Sequence, residues 1–399
     1  QTEAEDHLRK RFGAGGSAPL KSSLVEEVAR QLSDLGDGQN LVVDKPEILA
    51  LIDVLTLTVE LDIRSHYFYG RYRKLERGIP QTKWPCRACK GRGCEKCGQT
   101  GLQYKSSVQG LIGDPLLEMF GSEEHAFHGM GREDIDVRCL GRGRPFVMEM
   151  KKPVKRNIDS KVILEAINSS ANGSIEVSDI RPSNRSEVVR VKDTPAEKSY
   201  RIRYKIETIT ESEFDTLTQV MEIPANNQDR NRRRRNQHRR KKPEPEPELE
   251  TEIDYSGMKK AELVELCVGK GLAKSGTKDV LIERLSSFKE ATLPLPDADY
   301  VMEIMTNLQG CTLAQRTPER VAHRRADKIR KRMVLETSDP SIDIDEDGNL
   351  IAEFSLRCES GTYVKETVHG DGGRTQPSVA SLIKAKCTVE WLDVADIHA

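Results

Sequence analysis

The sequence predicts an α+β protein that carries a small metal knuckle and an inserted helical unit. Three observations lead there. Helix-like and strand-like patterns mix through residues 106–225 and again from 300 to 399. Four cysteines crowd into residues 86–97. Between turn signals, residues 254–290 form a compact segment with helical apolar spacing of its own.

Taken in order, residues 1–40 read as polar helix, interrupted at FGAGGSAP and resumed in SSLVEEVARQLSDL. LVVDKP and ILALIDVLTLTVELDI supply β-branched runs, read as strands or a strand–helix mixture. Residues 1–65 are thus a partial N-terminal region. HYFYGRYRKLERGIPQTKW at 66–84 interleaves aromatics with cations. Cations neutralise phosphates and rings stack on bases, so Arg71, Arg73 and Lys74 are candidates for RNA contact. An ordinary strand edge fits the same pattern equally well. Beyond the cysteines come a helix at DPLLEMF, the segment GREDIDVRCLGRGRPF, a helix at SKVILEAINSS, and strands near SIEVSDI, EVVRV and YRIRYKIETI. Residues 226–253 pass from an arginine block into a Pro-Glu block, a composition that cannot bury a core and reads as a disordered linker.

The chain has 399 residues, with 36% apolar, 5% aromatic and 32% charged side chains. That describes a polar, soluble protein with sizeable segments outside any core. A net charge of -1 conceals strong local asymmetry, so partners are read from patches. No secretory signal is visible, and the most apolar early stretch is too short and too charged to span a bilayer. Nine cysteines, four of them clustered, favour a reducing intracellular compartment and metal binding over disulfides. The arginine run suggests the nucleus, the cytoplasm being the other compartment in view. The first residue is Gln1 rather than Met, as in a fragment.

The cysteine spacing is Cys86-x2-Cys89-x4-Cys94-x2-Cys97. Two such knuckles supply four thiolates, the ligand set of a closed tetrahedral zinc site with a structural role. Similar repeats occur in zinc-dependent chaperones, a reading that rests on this spacing alone. Residues 258–288 resemble a SAP motif, through Leu263, Leu266, Gly271, Leu272, Ser275, Gly276, Lys278, Leu281 and Leu285. That resemblance implies DNA or RNA binding; a plain helical hairpin is the alternative.

In GREDIDVRCLGRGRPF, alternation puts Asp134, Asp136 and Arg138 on one face of a strand, with Ile135 and Val137 on the other. Gly141, Gly143 and Pro145 read as a turn into FVMEM. Periodicity does not choose among the carboxylates. The segment, however, resembles the first signature of the archaeal and eukaryotic tRNA pseudouridine synthases that act at positions 54 and 55 of the TΨC arm. FYGRYRKLERGIPQTKW, EKSYRIRY, QRTPERVAHRRADKIRKR and SGTYVKETVHGDGGRTQPSVASLIKAKCTVEWLDV resemble further signatures of that family, in the family's order.

The resemblance implies a mixed, largely antiparallel catalytic sheet and a catalytic Asp134, preceded by Gly131 and Arg132. It implies Tyr200 on a strand, with Tyr204 the lesser choice, and Lys365 holding Asp134 ionised. It implies isomerisation without any cofactor, and tRNA as the partner. Arg132, Arg320, His323, Arg324 and Arg325 join the candidates for phosphate contact. Two departures stand out: a THUMP-like region is not recognised in the first 60 or so residues, and the arginine block and SAP-like unit interrupt the catalytic domain. The rival reading is a non-catalytic nucleic-acid-binding protein using knuckle, arginine run and SAP-like unit.

Overall fold

The computed structural model describes residues 3–14, 19–35, 42, 44–53, 55–219, 255–288, 290–323, 325–346 and 348–399. The Arg-rich and Pro-Glu-rich segment and Arg324 lie outside the described residues. Helices α1 (Glu3–Arg11) and α2 (Leu20–Asp34) come first, then a hairpin of β1 (Ile48–Asp53) and β2 (Thr58–Ile63). The hairpin resolves the strand–helix ambiguity of ILALIDVLTLTVELDI in favour of strands, whereas the described residues of LVVDKP form none.

Among the described residues, ten strands make one sheet. They are β3 (His66–Lys74), β4 (Glu124–Gly129), β5 (Arg138–Lys151), β6 (Ile175–Ser183), β7 (Glu197–Glu207), β8 (Thr312–Arg316), β9 (Ile329–Ile344), β10 (Leu350–Cys358), β11 (Thr375–Gln376) and β12 (Lys386–His398). Their order is β11-β8-β9-β10-β7-β12-β5-β3-β6, with β4 beside the far half of β5. Every pairing is antiparallel except β12 with β5, where Asp393 faces Arg138 and Val394 faces Cys139. The sheet is therefore largely antiparallel, and one parallel seam joins its two halves.

Each half has its own apolar core. On the β3–β5–β6 side, Phe68, Tyr72, Phe146 and Met148 pack against α3 (Val108–Phe120) and α4 (Ser160–Ala171), through Ile112, Leu116, Phe120, Ile163 and Ile167. On the other side, Ile202, Tyr204, Phe354 and Val394 pack beneath α9 (Ala298–Asn307), α11 (Val364–His369) and α12 (Val379–Ile383). Burying each of these large side chains contributes roughly 1.5–3 kcal/mol.

Two local readings are corrected. EVVRV is not a strand but part of helix α5 (Arg185–Asp193), because Asn184 caps Ser186 and Glu187 and thereby starts a helix. Val188 and Val191 then fall three apart on its buried side. Nor do Gly141, Gly143 and Pro145 form a turn between two strands, since β5 continues through them as one bulged strand. A side chain at Gly143 would strike the Tyr72 backbone at 2.8 Å, and one at Gly141 the Ala395 carbonyl at 2.1 Å. With positive φ of 59° and 76°, the two glycines let β5 pass between β3 and β12 at a register shift.

The inserted unit is a pair of short helices, α7 (Lys260–Gly269) and α8 (Lys278–Ser287). Its core is Leu263, Cys267, Leu281 and Leu285, with Leu266 only half-buried. Before the insertion, α6 (Glu211–Thr218) follows β7; after it, Leu293 bonds back to Ile209 and Thr292 bridges Thr210. After the insertion the chain thus returns to the start of α6.

Candidate active site

Residues 131–137 are a loop and not the strand that alternation suggested; β5 starts only at Arg138. The Val137 amide donates to the Asp134 carbonyl at 3.2 Å, so the segment turns where a strand would extend. The turn brings both aspartates toward the C-terminal half of the chain. Asp134 Oδ2 accepts from Arg320 Nη1 at 2.6 Å. Arg320 lies on a short helix, α10 (Glu319–Ala322), and its other edge is held by Glu366 at 2.6 and 3.3 Å. Glu366 is fully buried and holds that guanidinium in place.

Lys365 extends from the first turn of α11. Its ammonium is 4.0 Å from Asp134 and 2.6 Å from Asp136. The direct cationic partner of Asp134 is therefore Arg320, and the expected Lys365 pairing goes mainly to Asp136. Burial alone would raise the Asp136 pKa; the bond to Lys365 outweighs it and the net shift is downward. Arg320, expected from sequence as a phosphate contact, is part of this carboxylate cluster.

Tyr200 sits near the start of β7, half-buried at the edge of the core. Enclosure pushes its phenol well above the usual range, and the Asp134 charge is close enough to add to the shift. Tyr204 lies four residues further along the same face of β7. It is fully buried against Phe354, and its hydroxyl has no hydrogen-bond partner among the described residues.

Beneath the loop lies a buried polar layer that spacing did not reveal. Glu133 forms an ion pair with Arg144 at 2.9 Å and accepts from the Tyr72 hydroxyl at 2.8 Å. Arg144 also donates to the Met130 carbonyl at 2.7 Å. Glu133 carries no more sequence signal than its neighbour Asp134, so only the fold separates the buried carboxylate from the open one. Lys74, a candidate for phosphate contact, is also buried and donates to carbonyls, which leaves nothing for a phosphate. Arg71 reaches the Arg142 and Ile397 carbonyls, and Arg73 pairs with Glu176. Arg132 lies over the Trp84 ring, 5.2 Å from its centre, and Arg325 and His323 are exposed. Of the aromatics in the same segment, Phe68 and Tyr72 are core, and Tyr69 lies under Arg181.

The four cysteines converge. Their sulfurs all lie within 4.8 Å of one another, with Cys86–Cys94 at 4.0, Cys89–Cys97 at 3.9 and Cys94–Cys97 at 3.7 Å. Sulfurs tetrahedral about a zinc, each at 2.3 Å, would stand about 3.8 Å apart. Amides of Gly93, Cys94 and Gly101 point at these sulfurs from 3.2–3.3 Å, as suits thiolates. A side chain at Gly101 would meet the Gly91 carbonyl at 2.3 Å, so glycine is required to close the knuckle. The group can hold a metal ion, and its donor set fits zinc.

Residues 67–260 and 290–398 match a family described as "Pus10, C-terminal". The chain belongs to the Pus10 family. Residues 254–289 separately match the SAP domain, so the inserted helices are one. Relatives named tRNA pseudouridine synthase Pus10 include those of Methanothrix thermoacetophila, 35% identical over 95% of this chain and 63% of its own length, and Methanocaldococcus jannaschii, 34% identical over 88% and 57%. The relative from Methanopyrus kandleri is 33% identical over 99% of this chain and 70% of its own. The chain thus spans roughly 57–70% of these Pus10 relatives. No helix among its described residues is long and apolar enough to cross a membrane.

Proposed function

We propose that this chain is a tRNA pseudouridine synthase acting on uridine in the TΨC arm, at position 54, 55 or both, with Asp134 as the reacting carboxylate. The observation that carries this reading is the convergence of Asp134 with Arg320 and Lys365, from opposite ends of the chain, in a member of the Pus10 family. The reaction is an isomerisation: the C1′–N1 bond breaks, C1′–C5 forms, and the proton lost from C5 is balanced by one gained at N1. No external reagent enters that balance. Asp134 acts on the sugar, either at C1′ as a nucleophile or by taking a proton to give a glycal. Tyr200 stacks on the extruded base, which must leave the folded arm before it can react. Arg71, Arg73, Arg132, Arg324 and Arg325 contact tRNA phosphates. The SAP domain adds a nucleic-acid contact of its own.

Pseudouridine mapping on unmodified tRNA tests this reading. Purified protein should introduce pseudouridine in the TΨC arm without added cofactor. Conversion of other positions only, or of none, would overturn it.

Cys86, Cys89, Cys94 and Cys97 hold structural zinc in this reading. Elemental analysis should find one zinc per chain, and Cys89→Ser should lower that occupancy and the melting temperature together. Full zinc retention in that variant would remove Cys89 from the ligand set.

A further inference from the structure

We propose that residues 74–81 are a template for the active-site loop, with Lys74, Arg77 and Gln81 as its positioning residues. The inference rests on Asp134 being the reacting carboxylate. The loop is held by its carbonyls. Gln81 Nε2 donates to the Gly131 carbonyl at 3.0 Å. Lys74 Nζ donates to Asp134 at 3.3 Å and to Ile135 at 2.9 Å, where the Gly78 amide adds a second bond at 2.9 Å. Arg77 Nη1 donates to the Asp136 carbonyl at 2.7 Å. Four loop carbonyls, on both sides of Asp134 and at it, thus answer to one eight-residue segment.

Lys74 is the centre of this arrangement. Its third bond, 2.7 Å to the Ile79 carbonyl, ties its own segment to the loop. It continues the face of β3 on which Phe68 and Tyr72 are buried, and it is itself fully buried. An apolar residue would fill that position at far lower desolvation cost, so the ammonium is there for its three donors. Arg77 extends the hold to β12, through the Leu392 carbonyl at 2.9 Å and Asp393 at 2.6 Å. Fixing the peptides at 134, 135 and 136 fixes the backbone from which the Asp134 side chain reaches Arg320. Misplacement of a reacting group by about 1 Å can cost on the order of 100-fold in rate.

The test uses the full chain with Lys74→Met and, as a milder variant on the open side, Arg77→Ala. Steady-state kinetics on unmodified tRNA should show kcat down about 10-fold or more for Lys74→Met, with KM within about threefold. Hydrogen exchange should quicken in 129–139 and stay unchanged in the distant helix 298–307. Arg77→Ala should move both readouts the same way by less. A raised KM at unchanged kcat would make Lys74 a substrate contact and overturn the template. Unchanged exchange in 129–139, or equal loosening of both segments in both variants, would overturn it as well. The exchange readout needs no activity: if Asp134→Asn keeps the wild-type rate, the functional reading fails while exchange still judges the template.

Discussion

Asp134→Asn is expected to lower the rate of pseudouridine formation by on the order of 10³-fold while leaving the protein folded. Asparagine keeps the shape of the side chain and still offers Arg320 one oxygen. It has lost the second carboxylate oxygen and the charge, and with them the capacity to attack C1′ or to take a proton. Arg320 keeps its second partner, Glu366, at 2.6 Å, so the substitution does not strand a buried cation. Asp134 itself is about one-third exposed, and its pairing adds little to stability. Single-turnover conversion of unmodified tRNA, with the tRNA Kd measured alongside, checks this. Product at the wild-type rate would remove Asp134 from the chemistry.

Glu133→Gln should do the reverse, with stability lost first and activity in consequence. Glu133 and Arg144 are both buried, and they face each other at 2.9 Å beneath the loop. Breaking a buried ion pair from one side leaves an uncompensated charge and typically costs about 3–5 kcal/mol. Urea denaturation of the wild type and of Glu133→Gln measures this directly. Adding Arg144→Met to Glu133→Leu should recover much of the loss, because both charges then go together. A loss below about 1 kcal/mol in the single variant would mean that the pair is not desolvated as the structure has it.

The contrast between these neighbours shows what the sequence could and could not supply. The cysteine knuckle was legible because ligand spacing is a local property, and residues 86–97 contain the whole site. The inserted helices were legible for the same reason. Asp134 was set apart from its neighbours only through resemblance; alternation placed it on a strand face alongside Asp136 and Arg138, and that strand is a loop. Arg320 was singled out, but its pairing with Asp134 and Glu366 was not legible, since those partners lie 186 and 46 residues away. Glu366 and Arg144 gave no signal at all. A buried charge looks like any other charge until the fold encloses it. Lys74 misled in the same way, as a cation among aromatics whose strand happens to be paired on both sides.

The parallel seam between β5 and β12 has a consequence for how the protein is made. β3, β4, β5 and β6, with α3 and α4 packed on them, are complete once residue 183 has been synthesised. Their neighbour in the sheet is β12, and Asp393 on that strand anchors both Arg77 and Arg138. Translation must therefore run through the linker, the SAP domain and the second half before the first half has a partner. At ribosomal speeds that interval is on the order of tens of seconds. Throughout it, the edge of β5 that will receive β12 is open on the nascent chain, as a strand edge able to pair with the wrong partner. The loop bearing Asp134 meanwhile lacks Arg320, Lys365 and Asp393. A chain stopped before Lys386 would hold the first core, a second core short of Leu392, Val394 and Ile397, and an open edge on β5, so a quality-control step that recognises an exposed strand edge could tell unfinished molecules from finished ones.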